Sequence, residues 1–278
     1  IGFGLLQNTK FTAGLFVPLF ALVLLIFFIH WLRQNSPRPP VLSRNSPLVM
    51  LLVAYPTAAF LTLWAGYGFQ IGTLPANLPT LPQLAGITVP LSHHLEQLLD
   101  IGGRLQKSTP AFLAGRYSDS GWWYYFPVAF LLKTPLPTLV VLFAAAMGLI
   151  WLGLRRRLAG RWLALAALLI PPLGYFGFAL TTEINLGYRH LLPVLPFLFV
   201  FMAVVLAWLP VNGPPQFALV GLVVWLGGTA VALHPHHLAF FNLLAGGPDG
   251  GWRYLVDSNL DWGQDLGRLP DWMRENEV

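Results

Sequence analysis

The sequence predicts an all-α polytopic membrane protein, and three features predict that class: its composition, its long uncharged apolar segments and the placement of its basic residues. Of 278 residues, 56% are hydrophobic and only 10% are charged, and the mean hydropathy is +0.63. These values exclude an ordinary water-soluble domain, in which about a quarter of the residues are charged. The absence of cysteine also excludes disulfide and thiol chemistry.

The apolar segments have the length that a membrane helix needs. A bilayer core about 30 Å thick is crossed by roughly 20 apolar residues in a helix. Six segments qualify, and none contains Asp, Glu, Lys or Arg: Phe11–Leu32, Pro47–Phe69, Pro135–Leu154, Trp162–Thr182, Leu191–Leu209 and Pro215–Leu233. Helices of soluble proteins usually show a polar face, which these segments lack. We therefore expect a transmembrane helical region over residues 1–234.

The basic residues predict the orientation of these spans. Short cytoplasmic loops of membrane proteins retain Lys and Arg. Loop 33–46 carries three arginines, loop 155–161 carries four, and neither contains an acid. With six spans both loops lie on one side, which we expect to be the cytoplasm. The loop 70–134 and the tail 235–278 then lie outside, where the tail begins a small extracytoplasmic C-terminal domain.

The long outer loop has two helical segments of its own. Between residues 90 and 107, apolar residues recur at helical spacing among polar ones, which favours an interfacial helix. Pro135 and Pro137 suit the first turn of a helix, so the third span is predicted to begin at Pro135. The aromatic-rich segment 122–133 then becomes interfacial and leaves Lys133 at the outer lipid surface.

The turn "EINLGYRH" between the fourth and fifth spans concentrates polar groups at the outer membrane surface. The guanidinium of Arg189 can bind a phosphate in a bidentate way, and His190, Lys133 and Arg116 lie on the same side. The simpler alternative is that each cation only extends to the interface. Glu183 either pairs with Arg189 or faces a substrate as an acid or base.

The sequence contains no convincing metal site. The three imidazoles of "HPHH" have no Cys or acid at a matching spacing. Asp257, Asn259 and Asp261 have the one-three-five spacing of a calcium loop, but Trp262 replaces the required Gly and Arg268 replaces the final Glu. We predict a polar turn here, and the requirement for a divalent cation stays open.

Three motifs, "GWWYYFPVAFLLKTPLP", "NLGYRHLLPVLPF" and "YLVDSNLDWGQDL", together resemble the bacterial family 39 glycosyltransferases. These polytopic enzymes are related to protein O-mannosyltransferases and aminoarabinose transferases and have the membrane fold called GT-C. The resemblance runs from about Phe112 to the end of the chain, in order and with similar spacing. It implies an integral protein of the bacterial cytoplasmic (inner) membrane with an extracytoplasmic active site.

The resemblance also implies the chemistry: inverting transfer of a sugar from a polyprenyl-phosphate donor to an acceptor that the sequence does not identify. The lipid bilayer is the other expected partner, and nucleic acid is not expected. The family's catalytic carboxylate lies in the first outer loop, and residues 1–10 contain no acid. We therefore expect the catalytic base upstream in a longer protein, with this chain inactive alone.

We assign the candidate residues as follows. Donor-phosphate binding is expected of Arg189, His190, Lys133 and Arg116, and the substrate pocket is expected to include Glu183, Asn185, Tyr188, Tyr124, Tyr125, Asp257, Asn259 and Asp261.

Two other functions compete with the glycosyltransferase. A transporter or flippase of a lipid-linked or anionic solute predicts broken helices with polar groups at mid-depth. Pro171 and Pro172 suggest such a break in the fourth span, but no ionisable residue accompanies them. A non-catalytic membrane scaffold whose tail binds a partner is the third possibility.

Overall fold

A computed structural model describes residues 2–9, 11–34, 53–76, 78, 81–104, 109–210 and 215–277. The chain forms two compact units, Ile1–Lys107 and Ser108–Val278. The expected boundary between residues 234 and 235 falls inside the second unit. The tail is therefore part of the same unit as the helices that precede it.

The first unit combines helices with a small two-stranded sheet. Its elements are α1 (Gly2–Thr9), a 3-10 helix (Phe11–Leu15), α2 (Phe16–Gln34), α3 (Tyr55–Gly66), β1 (Ile71–Thr73), a 3-10 helix (Pro82–Leu84), β2 (Thr88–Pro90) and α4 (Ser92–Arg104). The strands are antiparallel, with Ile71 opposite Pro90. Helix α4 confirms the helix predicted after Pro90. Helices α1 and α3 approach so closely at Gly4 that a Cβ there would lie 2.4 Å from the carbonyl oxygen of Ala59.

The second unit begins with a β-hairpin and continues as helices joined by short turns. Its elements are β3 (Ala111–Leu113), β4 (Arg116–Ser118), α5 (Tyr125–Lys133), α6 (Leu136–Leu154), α7 (Trp162–Leu180), a 3-10 helix (Tyr188–Val194), α8 (Leu195–Trp208), α9 (Pro215–Ala232), four 3-10 turns (His237–Ala239, Leu243–Ala245, Gly251–Arg253 and Asp257–Asn259) and α10 (Leu269–Glu275). Strands β3 and β4 are antiparallel, with Ala111 opposite Ser118.

Four helical segments of the described residues are long and apolar enough to cross a membrane: Ala13–Gln34, Leu136–Leu154, Trp162–Leu180 and Tyr188–Trp208. The protein is mostly helical, as predicted, and four segments of the described residues could span a membrane by their length and composition, where six spans were predicted. The predicted span at 47–69 lies partly outside the described residues, and its described helix α3 has 12 residues. The predicted last span is represented by a shorter apolar helix, Phe217–Ala232.

Helices α6 and α8 of the second unit pack through buried apolar side chains. Ala145 and Leu152 of α6 are buried against Phe201, Met202 and Val205 of α8. Pro171 and Pro172, which suggested a break, lie buried inside α7, and this helix continues without interruption from Trp162 to Leu180. The broken helix that the transporter alternative predicts is therefore not formed in α7.

A second core surrounds the short helix α5. Its side chains Tyr125, Phe126 and Ala129 are buried against Leu191, which begins the fifth predicted span, and against Leu255 of the tail. The sequence predicted that this segment lies at the interface as a helix. The helix is present, but segments from the tail cover it. Burial of α5 sets the position of the candidate site.

Candidate functional site

The candidate site lies in the second unit, where α5, the turn before Tyr188, the β3–β4 hairpin and the tail meet. A cavity of about 90 Å³ is found here, which has room for several water molecules. The polar side chains of its lining belong to Tyr117, Tyr125, Asn185 and Asp257. Three of these four residues were predicted as substrate-pocket residues, and the structure brings them together.

Asn259 connects the segments that form this site. Its side chain is 1% exposed. The Oδ1 atom accepts a hydrogen bond of 2.9 Å from the backbone N–H of Tyr188. The Nδ2 atom donates to the Tyr125 hydroxyl at 3.0 Å and to the Val256 carbonyl at 3.0 Å. One amide therefore joins α5, the Tyr188 turn and the tail.

Lys133 occupies a different environment from the one predicted. Its side chain is 7% exposed, and Nζ donates to the carbonyl oxygens of Leu238 at 2.7 Å and Asn259 at 2.5 Å. Nζ also lies 4.4 Å from the ring centroid of Phe241. Burial lowers the pKa of Lys133 to about 8. The expected position at the lipid surface is wrong, because these contacts direct the ammonium group into the protein.

Sequence reasoning missed Asn242, which caps the end of α5. Its Nδ2 atom donates to the carbonyl oxygens of Leu131 at 2.6 Å and Thr134 at 2.8 Å, groups that a helix C-terminus otherwise leaves without partners. A lone Asn in the apolar run "AFFNLLAGG" was the available signal. An asparagine in this setting predicts a local turn, and Asn242 Oδ1 does accept a hydrogen bond from the Leu244 N–H at 2.9 Å. The sequence does not identify the second partner, Thr134, which lies 108 residues earlier.

The polar turn 183–190 is held against the rest of the site at two points. Asn185, which is buried, accepts a 2.8 Å hydrogen bond from the Trp122 N–H. Ser258, also missed from the sequence, donates from its hydroxyl to the Leu186 carbonyl. Gly187 has φ +147°, and a Cβ there would lie 2.6 Å from Ser258 Oγ. The turn therefore has a defined conformation that depends on glycine.

Arg189 lies near the end of this turn and stacks on an aromatic ring of the tail. Its Cζ lies 4.7 Å from the ring centroid of Trp262. The ion pair expected with Glu183 is not formed between these two described residues, and the Glu183 side chain is exposed. A guanidinium group stacked on a ring face keeps its N–H edges available to an oxyanion. This arrangement suits Arg189 to phosphate binding.

The remaining predicted residues either make separate contacts or are exposed. The His190 ring contacts Phe126 edge to face at 6.2 Å, and the Tyr188 hydroxyl is hydrogen-bonded to Thr134 Oγ1 at 3.0 Å. The side chains of Arg116, Tyr124 and Asp261 are exposed. Asp261 Oδ1 accepts from the backbone N–H groups of Gly263 and Gln264 at 2.9 and 3.2 Å, as the predicted polar turn requires. Within the described part of the chain, no group of three His, Asp or Glu side chains could hold a metal ion.

The cavity offers a neutral hydroxyl beside a carboxylate. The pKa of Tyr125 is raised to about 12, chiefly by burial and to a smaller extent by the negative charge of Asp257, while the hydrogen bond with Asn259 partly opposes this increase. Tyr125 is therefore a hydrogen-bond donor at neutral pH. Asp257 is exposed and has φ +58°, an uncommon conformation for a residue other than glycine that often occurs at functional positions.

No family model matches the sequence, and searches of curated proteins and of solved structures found no match.

Proposed function

We propose that this chain is the donor-binding part of an integral-membrane glycosyltransferase that uses a polyprenyl-phosphate sugar. One observation carries the proposal. The three motifs of the resemblance, far apart in the sequence, meet at one buried amide: Tyr125 belongs to the first motif, Tyr188 to the second and Asn259 to the third. These hydrogen bonds hold the three motifs together, so that all three contribute to one site.

Arg189 is the proposed contact to the donor phosphate. When the sugar leaves its lipid carrier, negative charge develops on the polyprenyl phosphate, and a positioned guanidinium stabilises that charge. Stacking on Trp262 restricts the orientation of Arg189 before the ligand binds. Lys133 acts indirectly in this proposal: it binds the Asn259 carbonyl and so positions the turn that precedes Arg189.

The finer features of the proposal follow the resemblance. The fold is of the GT-C type, the protein resides in the bacterial inner membrane, and the candidate site faces the extracytoplasmic side. The resemblance implies that a carboxylate removes the acceptor's proton. Asp257 beside Tyr125 is available to hydrogen-bond the hydroxyl groups of the donor sugar.

Binding of the donor lipid tests this proposal directly. The chain is reconstituted in nanodiscs, and the affinity for undecaprenyl phosphate is compared with that for undecaprenol, which lacks only the phosphate. We expect a clear preference for the phosphate, and we expect Arg189→Ala to weaken phosphate-lipid binding by about ten-fold or more because it removes a charge-assisted hydrogen bond.

Arg253→Ala is the matched control, since Arg253 also stacks on a tryptophan, with its Cζ 5.5 Å from the ring centroid of Trp252. This variant should bind undecaprenyl phosphate as the unmodified chain does. Equal affinity for the two lipids, or full affinity of Arg189→Ala for the phosphate, contradicts the proposal.

A further inference from the structure

The second unit carries a separate cationic patch at the far end of its spanning helices. The patch consists of Arg155, Arg156, Arg157 and Arg161, in the turn between α6 and α7. The candidate site adjoins the other ends of these helices. Because α6 has 19 residues, the two ends lie about 28 Å apart along its axis. The patch is therefore distinct from the donor site.

Tryptophan rings from two helices orient three of these arginines. The Cζ atoms of Arg155 and Arg157 lie 5.8 and 5.5 Å from the ring centroid of Trp151 at the end of α6. The Cζ of Arg161 lies 4.8 Å from the ring centroid of Trp208 at the end of α8. Tryptophan is enriched at the level of lipid headgroups. The rings fix the guanidinium groups at that level and leave their N–H edges open.

Among the residues that the structure describes, no acid pairs with an arginine of the patch. Residues 155–161 contain no acid, and the ion pairs of the described residues involve other side chains. Four like charges within seven residues repel one another, and a bound anion reduces this repulsion. The exposed side chains of Leu154 and Trp162 flank the patch, so its surroundings are apolar as well as cationic.

The backbone at Arg156 provides an independent observation. Arg156 has φ +52°, and the N–H groups of Arg156 and Arg157 donate to the carbonyls of Gly153 and Leu152 at 2.9 and 2.8 Å. This is the Schellman ending of a helix, whose left-handed residue is usually glycine. An arginine costs conformational energy there. Use of the side chain in binding would offset this cost.

We propose that this patch binds the phosphate of an anionic phospholipid headgroup in the leaflet at this end of the helices. The charge selects an anion, and the interfacial tryptophans with the adjoining apolar side chains select a lipid over a soluble anion. The bound lipid bridges α6 and α8 through Trp151 and Trp208. The inference does not depend on the glycosyltransferase proposal.

Lipid retention by the purified full chain tests this site. Native mass spectrometry compares phosphatidylglycerol with phosphatidylcholine of the same acyl chains. We expect the unmodified chain to retain phosphatidylglycerol selectively and Arg155→Gln/Arg157→Gln to lose roughly 25-fold in affinity, at about five-fold for each arginine. Arg253→Gln/Arg274→Gln changes the net charge equally and should leave phosphatidylglycerol retention unchanged.

Arg156→Gly separates binding from folding. Glycine suits the left-handed conformation, so the melting temperature in phosphatidylcholine should be unchanged or higher. The affinity for phosphatidylglycerol should nevertheless fall by about five-fold. The proposal is overturned if the unmodified chain does not distinguish the two lipids, or if the double variant or Arg156→Gly retains phosphatidylglycerol as the unmodified chain does.

Discussion

At the scale of single residues, the Asn259 amide performs a role that no apolar side chain can replace. It accepts from the backbone of Tyr188 and donates to the hydroxyl of Tyr125, a residue 134 positions earlier in the chain. Tyr125 is buried and Tyr188 is half-buried. Their polar groups would be left without partners if the amide were removed.

We therefore expect Asn259→Ala to lower the free energy of unfolding by about 2 to 4 kcal/mol, because buried groups lose their hydrogen bonds and a small cavity forms. The measurement is the thermal unfolding midpoint of the purified chain in detergent. Asn276→Ala is the control: Asn276 is exposed, and its side chain makes one described hydrogen bond, from Nδ2 to the Trp272 carbonyl at 2.8 Å. Equal unfolding midpoints for the two variants would contradict the role assigned to Asn259.

Lys133 gives a pH-dependent prediction with a definite sign. Its pKa in the folded protein, about 8, is below the ordinary value of 10.5, so between these values the unfolded chain binds more protons. Stability from this group is therefore greatest above pH 10.5 and is lost as the pH falls through about 8. In Lys133→Met this contribution is absent, while the other titrating groups are retained.

The unfolding midpoint of the unmodified chain, relative to that of Lys133→Met, should therefore increase as the pH rises through about 8. Lys133→Met should also be less stable above this pH, since the carbonyls of Leu238 and Asn259 lose their donor. A difference that stays constant with pH would show that Lys133 does not titrate in this range.

The sequence predicted several residues of the site but not all of their roles. Tyr125, Asn185 and Asn259 were selected from motifs, and the structure places them together. The environment of Lys133 was predicted incorrectly. A lysine at the end of an aromatic segment has the same sequence pattern whether its ammonium group contacts lipid headgroups or backbone carbonyls of the protein. Those carbonyls belong to residues 105 and 126 positions later, and no local pattern encodes them.

At the scale of elements, the position of α5 depends on how closely the tail approaches it. Phe241 is buried, and its ring contacts Lys133 at the end of α5. Gly251 also lies against this ring, and a Cβ there would be 2.1 Å from Phe241 Cδ2. A side chain at position 251 therefore requires Phe241 to move.

Gly251→Ala should accordingly destabilise the protein by about 1 to 3 kcal/mol through overpacking, measured as a lower unfolding midpoint. Gly267→Ala is the matched control, because nothing lies within 4 Å of a Cβ at that position. If the control lowered the midpoint as much as Gly251→Ala, contact with Phe241 would not be the cause.

Helical elements were more predictable than their surroundings. Helices α6, α7 and α8 begin and end within a few residues of the predicted spans, because a run of about 20 uncharged apolar residues has few other stable conformations in a bilayer. The burial of α5 was not predicted. An aromatic, apolar helix has the same sequence pattern whether lipid or a polypeptide segment covers it.

At the scale of the whole second unit, two polar regions lie at opposite ends of the spanning helices. The candidate site combines neutral hydrogen-bonding groups, carboxylates, the buried Lys133 and the stacked Arg189, whereas every charged residue of 155–161 is an arginine. Lys and Arg are retained on the cytoplasmic side of a membrane. The charge distribution therefore predicts which end faces the cytoplasm.

Cysteine labelling tests this orientation, and the natural absence of cysteine makes every introduced thiol a unique probe. Ala159, in the cationic turn, and Asp249, in a turn of the tail, are both exposed. In intact bacterial cells, a membrane-impermeant maleimide should label Asp249→Cys but not Ala159→Cys, and permeabilised cells should show labelling of both. The reverse pattern would place the candidate site in the cytoplasm, where an extracytoplasmic acceptor has no access. Labelling of both in intact cells would mean that the helices between these residues do not separate the two turns across a bilayer.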